Sequence, residues 1–386
     1  MKTKISRRTF NKALLATGAV VGTSAGITRY NRSNSASINQ ELWLSAQGRN
    51  KDTYSLGWVN PNAESSAQQL SDFRGHGLCQ NPAKPEQVVM FSRRPGTEGI
   101  RLNTLTNKQD GSFVCANDRH MHGHGCYSAD GQLLYCAETK ISTGEGKITV
   151  RDASTLEQVN EFSSFGIGPH EIKLMPDGKT LVIANGGLLT HPDSGREILN
   201  LETMRSTLSY IDARTGKLIS EHLVAEPKAS IRHLDVASDG TVAIALQVQR
   251  KAMTGNELTP LAAVHKQGQE IKLFEGPEAL MVKLNDYMGS TVIHNDTRIA
   301  AFTSPKGDLA MFWHLDDLSF QGYHSFHDVC GLAVSQDNKY FILSNSTGKI
   351  RQINARTLKI DKQKSLNFPN ISWDNHMISV SAKRTS

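Results

Sequence analysis

Residues 327–345 read His-Asp-Val-Cys-Gly-Leu-Ala-Val-Ser-Gln-Asp-Asn-Lys-Tyr-Phe-Ile-Leu-Ser-Asn, and residues 348–354 read Gly-Lys-Ile-Arg-Gln-Ile-Asn. Apolar and polar side chains alternate on both sides of the Asp-Asn step, which predicts two short strands. The Asp-Asn pair supplies the turn-compatible backbone that a tight hairpin needs. This stretch therefore predicts a histidine at the start of a hairpin, followed by a further strand.

The same pattern recurs along the chain with Asp-Gly at the turn. Further copies begin at His124, His170 and His233, and weaker ones begin near Gly75-His76 and Tyr287. Repeats of roughly 40 to 50 residues with four short strands each are typical of β-propeller blades. The sequence therefore predicts an all-β propeller with about seven blades, with six or eight blades left open as alternatives.

Both ends of the repeat region are expected to meet in one blade. The strand-like residues 42–59 and the terminal residues 373–380 would together complete a four-stranded sheet. Joining the two ends closes the ring and protects strand edges that would otherwise pair with other chains. We therefore expect residues 38–386 to form a single propeller domain.

The N-terminus predicts an export signal. Residues 6–12 read Ser-Arg-Arg-Thr-Phe-Asn-Lys, and a weakly apolar run follows over residues 13–22. That run is shorter than the roughly 20 apolar residues that a membrane-spanning helix needs. We interpret residues 1–37 as a twin-arginine signal peptide and linker, which predicts a periplasmic protein that meets the twin-arginine translocase during export. A retained membrane anchor is the alternative.

The charge balance argues against nucleic acid as a partner. The formal net charge is +6, but residues 1–37 hold seven Lys and Arg and no acid, so the remainder carries −1. Binding to phosphates needs clustered cations, and this remainder has no cationic excess. The five cysteines are an odd number in an oxidising compartment, so at least one lies outside any intramolecular disulfide. Without a Cys-x-x-Cys-His motif, no c-type haem is attached.

Histidines recur where the repeats enter their innermost strands, so they should crowd the mouth of the central channel. Neutral imidazole suits iron, copper, nickel and zinc. In His120-Met-His122-Gly-His124 the side chains two apart would face the same way in a strand. The predicted metal ligands are His76, His122, His124, His170, His233 and His327, and His376 would add another. The alternative is that these histidines brace neighbouring blades.

Cationic residues are expected to cover the same mouth. Arg93 and Arg94 lie in a loop between the second and third strands of a blade, and the insertion 186–206 occupies the equivalent loop of another blade. Arginine binds carboxylates through two parallel hydrogen bonds. The predicted ligand-binding residues are Arg93, Arg94, His191 and Arg196. Alternatively, Arg93 and Arg94 pair with acidic neighbours.

The repeats resemble YVTN and quinoprotein-dehydrogenase-like propellers. A closer resemblance covers nearly the whole chain after the signal, to the exported bacterial family called domain of unknown function 1513. It is carried by Arg74-Gly75-His76-Gly77, Arg93-Arg94-Pro95-Gly96, His122-Gly123-His124-Gly125, Gly168-Pro169-His170-Glu171 and the run from Asn185 to Arg196. Members tend to be encoded beside imelysin-type and di-haem peroxidase-like proteins. The resemblance implies these as partners and a role in periplasmic iron acquisition.

No catalytic residues are identified. The chain has no phosphate-binding loop, no dinucleotide glycine fingerprint and no Gly-x-Ser-x-Gly elbow. We therefore expect a binding or accessory protein, carrying iron or copper, rather than an enzyme. Two alternatives stay open: an oxidoreductase like the quinoprotein and amine dehydrogenases, and a propeller that only docks other proteins.

Overall fold

A computed structural model describes residues 40–48, 53–195, 197–255 and 257–382. These residues form seven four-stranded antiparallel sheets. The first strand of each sheet packs against the first strands of the two neighbouring sheets, so the seven sheets are blades around a central channel. The predicted seven-bladed propeller is confirmed. The predicted signal segment, residues 1–37, lies outside the described residues.

The blades are numbered from the closing blade, and within each blade the innermost strand is named first. Blade 1 contains β28 (Trp373–Ala382), β1 (Gln40–Gln47), β2 (Tyr54–Asn60) and β3 (Ser65–Ser71). Blade 2 contains β4 (Gly75–Gln80), β5 (Gln87–Ser92), β6 (Glu98–Asn103) and β7 (Lys108–Val114). Blade 3 contains β8 (Arg119–Tyr127), β9 (Leu133–Lys140), β10 (Glu145–Asp152) and β11 (Gln158–Ile167).

The remaining four blades follow in chain order. Blade 4 contains β12 (Pro169–Leu174), β13 (Thr180–Asn185), β14 (Thr207–Asp212) and β15 (Leu218–Leu223). Blade 5 contains β16 (Ala229–Val236), β17 (Val242–Val248), β18 (Ala262–His265) and β19 (Lys272–Leu273). Blade 6 contains β20 (Ser290–His294), β21 (Ile299–Ser304), β22 (Leu309–His314) and β23 (Phe320–Ser325). Blade 7 contains β24 (Val329–Val334), β25 (Tyr340–Asn345), β26 (Lys349–Asn354) and β27 (Ile360–Asn367).

Helices are few and short. Within the described ranges they are two 3-10 turns, Pro192–Ser194 and Arg250–Ala252, and one α-helix, α1 (Glu278–Lys283). No helix in the part of the chain that the structure describes is both long and apolar enough to span a bilayer.

Blade 1 closes the ring as predicted from the two ends of the chain. The C-terminal strand β28 pairs antiparallel with β1, placing Leu42 opposite Val380 and Leu44 opposite Ile378. Trp373 is fully buried beside this junction. Burying a side chain of this size and completing the sheet hold the ends of the described chain together.

The hairpin turns have the backbone that the sequence predicts. Gly131, Gly178 and Gly240 have φ of 68°, 67° and 85°, and Asn338 has φ of 56°. Glycine and asparagine adopt this left-handed region at low cost. These turns join the first and second strands on one face of the propeller. The loops that enter the first strands, and those between second and third strands, therefore open on the other face, which we call the mouth.

Candidate metal centre

Five histidines from five innermost strands meet in the central channel. Their ring centroids lie 4.3 Å apart for His233 and His376, 4.6 Å for His76 and His376, 4.7 Å for His170 and His233, and 4.8 Å for His76 and His124. Each of the five residues is at most 8% exposed. We call His76, His124, His170, His233 and His376 the histidine cluster.

Irregular backbone turns these side chains into the channel. The pairing register shifts between Gly75 and Leu78, between Pro169 and Glu171, and between Ile231 and His233. A β-bulge of this kind redirects a side chain and is frequent beside functional sites. The cluster therefore depends on departures from regular strand geometry.

Two glycines allow the rings to approach. A Cβ on Gly77 would lie 2.5 Å from Nδ1 of His124, and a Cβ on Gly123 would lie 2.7 Å from Cδ2 of His76. Gly123 also has φ of 97°, which other residues rarely adopt. Both positions require glycine if His76 and His124 are to be neighbours.

His120 and His122 do not align with His124 as the alternating pattern predicts. The register of β8 shifts between Met121 and Gly125, which breaks the alternation of side chains. His122 Nε2 instead hydrogen-bonds Thr139 Oγ1 at 2.7 Å. Its ring remains close to the cluster, with its centroid 6.5 Å from that of His170. His122 therefore borders the cluster, and only His124 of the three joins it.

The structure places His327 away from the histidine cluster. Its side chain is 75% exposed, and Nδ1 contacts the Asp308 carboxylate at 3.3 Å. His327 precedes the Asp of its hairpin turn by ten residues, whereas His124, His170 and His233 precede theirs by six, seven and six. This difference in spacing is a signal in the sequence that separates His327 from the others. His376, the other C-terminal candidate ligand, does lie in the channel.

Several ring nitrogens of the cluster have no hydrogen-bond partner. The four buried, unpartnered atoms among the described residues of the cluster are His76 Nδ1, His124 Nε2, His170 Nδ1 and His376 Nε2. Burying a polar atom without a partner costs about 1–3 kcal/mol, so native structures rarely leave several together. These four nitrogens are therefore available to bind a ligand or an ion in the channel.

Burial favours the uncharged form of the cluster histidines. Burial lowers the pKa of His76, His170 and His376 well below the usual value, and the positive charge that neighbouring histidines would carry adds to this shift. Burial also lowers the pKa of His124, to about 3, although Glu171 opposes the shift. At neutral pH these rings are uncharged, and uncharged imidazole is the form that binds a metal ion.

Glu171 organises one side of the cluster. Its Oε2 lies 3.0 Å from Nδ1 of His233 and accepts a hydrogen bond from the backbone N–H of Leu234 at 3.0 Å. Its Oε1 lies 3.6 Å from Nδ1 of His124 and 3.4 Å from Nζ of Lys173. Burial works to raise the pKa of Glu171, but His124, Lys173 and His233 outweigh it and hold the pKa well below the usual value. Glu171 is therefore a carboxylate at neutral pH.

Lys173 and Asp235 extend this charge network below the cluster. Lys173 Nζ lies 3.9 Å from the Asp235 carboxylate, and both residues line a cavity of about 240 Å³ with His124, His233 and His376. Neither Lys173 nor Asp235 was predicted as a site residue from the sequence. The available signal was the spacing of Glu171 and Lys173, since residues two apart in a strand face the same side.

Three groups of residues could each hold one metal ion. They are His76 with His124 and His376, His76 with His170 and His233, and His124 with Glu171 and His233. The ligand atoms within each group lie within 4.8 Å of one another. Nitrogens bound to one ion at 2.0–2.1 Å lie at most about 4.2 Å apart. Loading an ion therefore requires only small movements of the rings.

A basic cavity of about 450 Å³ lies at the mouth above the cluster. Its lining includes Arg93 and Arg94, as predicted from their loop, and His76, His122 and His170 at its base. Arg93 also contacts the buried Asp374 carboxylate at 3.3 Å. Arg232 also lines this cavity and immediately precedes His233, and no sequence motif marks it.

Of the two predicted ligand-binding residues of the insertion, the structure describes His191. His191 is half-exposed, does not line the mouth cavity, and caps the turn Pro192–Ser194 by accepting a hydrogen bond from the backbone N–H of Asp193 at Nδ1. Arg196 lies outside the described residues. The insertion instead contributes Leu188 and Ile198 to the cavity wall.

Comparison with known proteins gives one family and one fold. A family model described as "Protein of unknown function (DUF1513)" matches residues 69–380. No curated protein matches the chain. Among solved structures, Kuenenia stuttgartiensis hydrazine synthase is similar with a TM-score of 0.62 and 12% identity, over 86% of this chain and 100% of that one. At this identity the similarity shows a shared propeller fold alone.

Proposed function

This chain belongs to the DUF1513 family, and from that premise we propose that it is a propeller whose histidine cluster binds a transition-metal ion. One observation carries the proposal: four buried imidazole nitrogens converge in the channel without hydrogen-bond partners. A metal ion bound to some of these atoms would replace the interactions that burial denies them.

Histidines that brace blades look different in this protein. His294 bonds Thr297 Oγ1 through Nδ1 at 2.8 Å and the Asn338 carbonyl through Nε2 at 2.8 Å. His265 likewise bonds the Tyr210 hydroxyl and the Gln269 carbonyl. Both nitrogens of these two bracing rings are thus used. The cluster leaves nitrogens unused, which favours ligation over bracing.

The contacts of the cluster also resemble the support that metal ligands receive. Nδ1 of His376 lies 3.1 Å from Ser290 Oγ, and Nδ1 of His124 faces Glu171. In each ring the other nitrogen, Nε2, has no partner. Metal-ligating histidines usually bond a carboxylate, carbonyl or hydroxyl through the nitrogen that does not bind the ion.

Iron is the metal that we propose. The three candidate groups contain imidazoles and one carboxylate and no thiolate, a donor set that suits iron or zinc better than copper(I). Members of the family that this chain resembles tend to be encoded beside imelysin-type iron-uptake proteins, and this favours iron over zinc. We infer an accessory role in periplasmic iron acquisition after twin-arginine export, with imelysin-type and di-haem peroxidase-like proteins as partners.

Elemental analysis tests this function. Protein purified from the periplasm after native export and without chelators is expected to hold near-stoichiometric iron. The double variant His124→Ala/His170→Ala is expected to lose the metal and keep its circular dichroism spectrum. His327→Ala, which changes an exposed histidine, is the control and should retain the metal. Wild-type metal content in the double variant, or a wild-type protein that takes up neither iron nor copper, would contradict the proposal.

A further inference from the structure

The mouth cavity above the histidine cluster is strongly cationic. Its lining contains Arg74, Arg93, Arg94, Arg232 and Lys306, and no acidic side chain among the described residues. Asp374, which lies behind the lining, binds Arg74 at 2.8 Å and Arg93 at 3.3 Å. Clustered like charges raise the free energy of a site unless an anion neutralises them.

Arg232 is the residue that points most directly to an anion. It lies in the innermost strand of blade 5, next to His233, and its Nε is buried and has no hydrogen-bond partner. A guanidinium in this position is stabilised by an oxyanion that accepts its N–H groups.

The same cavity opens onto the proposed metal site. His76 and His170 form part of its lining, and Nδ1 of each is unpartnered. An anion held by Arg232 would therefore lie beside any ion bound by these rings. Such an anion is positioned to ligate the metal with one group and to bind arginine with another.

The cavity is built for an extended anion. Its volume of about 450 Å³ is many times the roughly 30 Å³ that a water molecule occupies in the liquid. Arg93 and Arg232 belong to blades 2 and 5, on opposite sides of the seven-bladed ring. Leu188 and Ile198 add an apolar wall. A ligand with several oxyanion groups on a carbon frame fits this arrangement better than a single inorganic oxyanion.

We propose that the mouth binds a polycarboxylate anion that also chelates the metal, so that the protein takes up its metal as a polycarboxylate complex. This inference rests on the proposed metal-binding function. Arg232 and Lys306, which lie across the mouth from Arg93, are the residues that select the ligand.

Calorimetric titration of metal-free, full-length protein with citrate tests the proposal. Wild-type protein is expected to bind citrate, and Arg232→Gln should weaken binding about tenfold to a hundredfold, as expected for one charge-assisted hydrogen-bonded contact. Arg214→Gln is the matched control, because Arg214 is exposed in the turn between β14 and β15 on the face opposite the mouth. If Arg232→Gln fails to fold, Lys306→Gln is expected to weaken citrate binding in its place.

Inorganic phosphate is the second probe. It should bind at least about tenfold more weakly than citrate, since it cannot reach both sides of the mouth. Absence of citrate binding to the wild-type protein, equal binding of phosphate and citrate, or unchanged citrate binding in both variants would overturn the proposal.

Iron content measured separately distinguishes the two proposals. Arg232→Gln should still hold iron when the ion is supplied without citrate. Iron retained by a protein that does not bind citrate marks a failure of this inference, whereas citrate bound by a protein that never holds a metal marks a failure of the proposed function.

Discussion

Glu171 and His233 are joined across blades 4 and 5 by a hydrogen bond of 3.0 Å between Oε2 and Nδ1. This contact fixes the orientation of the His233 ring and makes its other nitrogen a better ligand. Glu171→Gln is therefore expected to lower iron affinity about 10-fold to 100-fold, the usual effect of losing such a partner. Competition with a chromophoric chelator measures this affinity.

Glu161→Gln is the control for that experiment. Glu161 pairs with Arg119 at 2.7 Å outside the channel, so this variant should keep wild-type affinity. Equal iron affinity of Glu171→Gln and wild-type protein would show that Glu171 does not support the site.

The stability of the metal-free protein should decrease on mild acidification. Histidines of the cluster have pKa values lowered by burial, that of His124 to about 3, whereas an unfolded histidine has a pKa of about 6.5. Below pH 6.5 the unfolded chain binds protons that the folded chain does not, so the free energy of unfolding falls. The loss is about 1.4 kcal/mol per histidine for each pH unit, and it vanishes above about pH 7.5.

Urea unfolding at pH 7.5 and 5.5 measures this effect. The lowered pKa of Glu171 adds a loss only when the pH approaches an unfolded carboxyl value of about 4.3. Burial raises the pKa of Asp235 and of Glu138, and these two groups oppose the loss caused by the histidines. A free energy of unfolding that does not change between the two pH values would contradict burial of uncharged rings in the channel.

Asp374 links the closing blade to blade 2 and should contribute to stability. The buried carboxylate on β28 accepts a hydrogen bond from Nε of Arg74 at 2.8 Å and contacts Arg93. Asp374→Asn is expected to lower the free energy of unfolding by about 2 kcal/mol. This is less than the roughly 3–5 kcal/mol of a fully buried pair, because both arginines are partly exposed.

Chemical denaturation checks the Asp374 prediction. The control is Asp316→Asn, whose partner Arg298 lies in an exposed pair at 2.6 Å, and it should cost less than about 1 kcal/mol. Equal effects of the two substitutions would argue against a stabilising role of Asp374 at the ring closure.

The C-terminal strand should be essential for folding. Deleting residues 373–386 removes β28, and with it the fully buried Trp373, His376 and the inner edge of blade 1. The exposed edge of β1 and the lost core are expected to produce aggregated protein in size-exclusion chromatography. Deleting only residues 383–386 is the control and should leave a monodisperse, folded protein. A folded, monodisperse product of the longer deletion would contradict closure by β28.

The fold could be predicted from the sequence because each blade carries local signals. Asp-Gly turns and the alternation of apolar residues predict the hairpins, and these signals depend on near neighbours in the chain. The composite blade could be predicted because both ends of the chain are strand-like and a closed ring needs them to pair. Gly131 and Asn338 have the positive φ that the predicted hairpin turns require.

The site was only partly predictable because it depends on register. His76, His124, His170 and His233 reach the channel through bulges, and a bulge leaves little trace in the alternation of residues. The same irregularity explains why His122 turns toward Thr139. Arg232 was not predicted because it lines the mouth cavity only when blade 5 lies opposite blade 2. No local sequence pattern indicates that arrangement.

The most direct test of the central claim is anomalous diffraction from crystals of the iron-loaded protein, measured at the iron absorption edge. We predict one strong anomalous peak in the central channel, about 2.0–2.2 Å from ring nitrogens of at least three residues of the histidine cluster. An iron peak found elsewhere, such as at the surface residues His191 and Asp193, or no peak in the channel of a protein shown to contain iron, would contradict it.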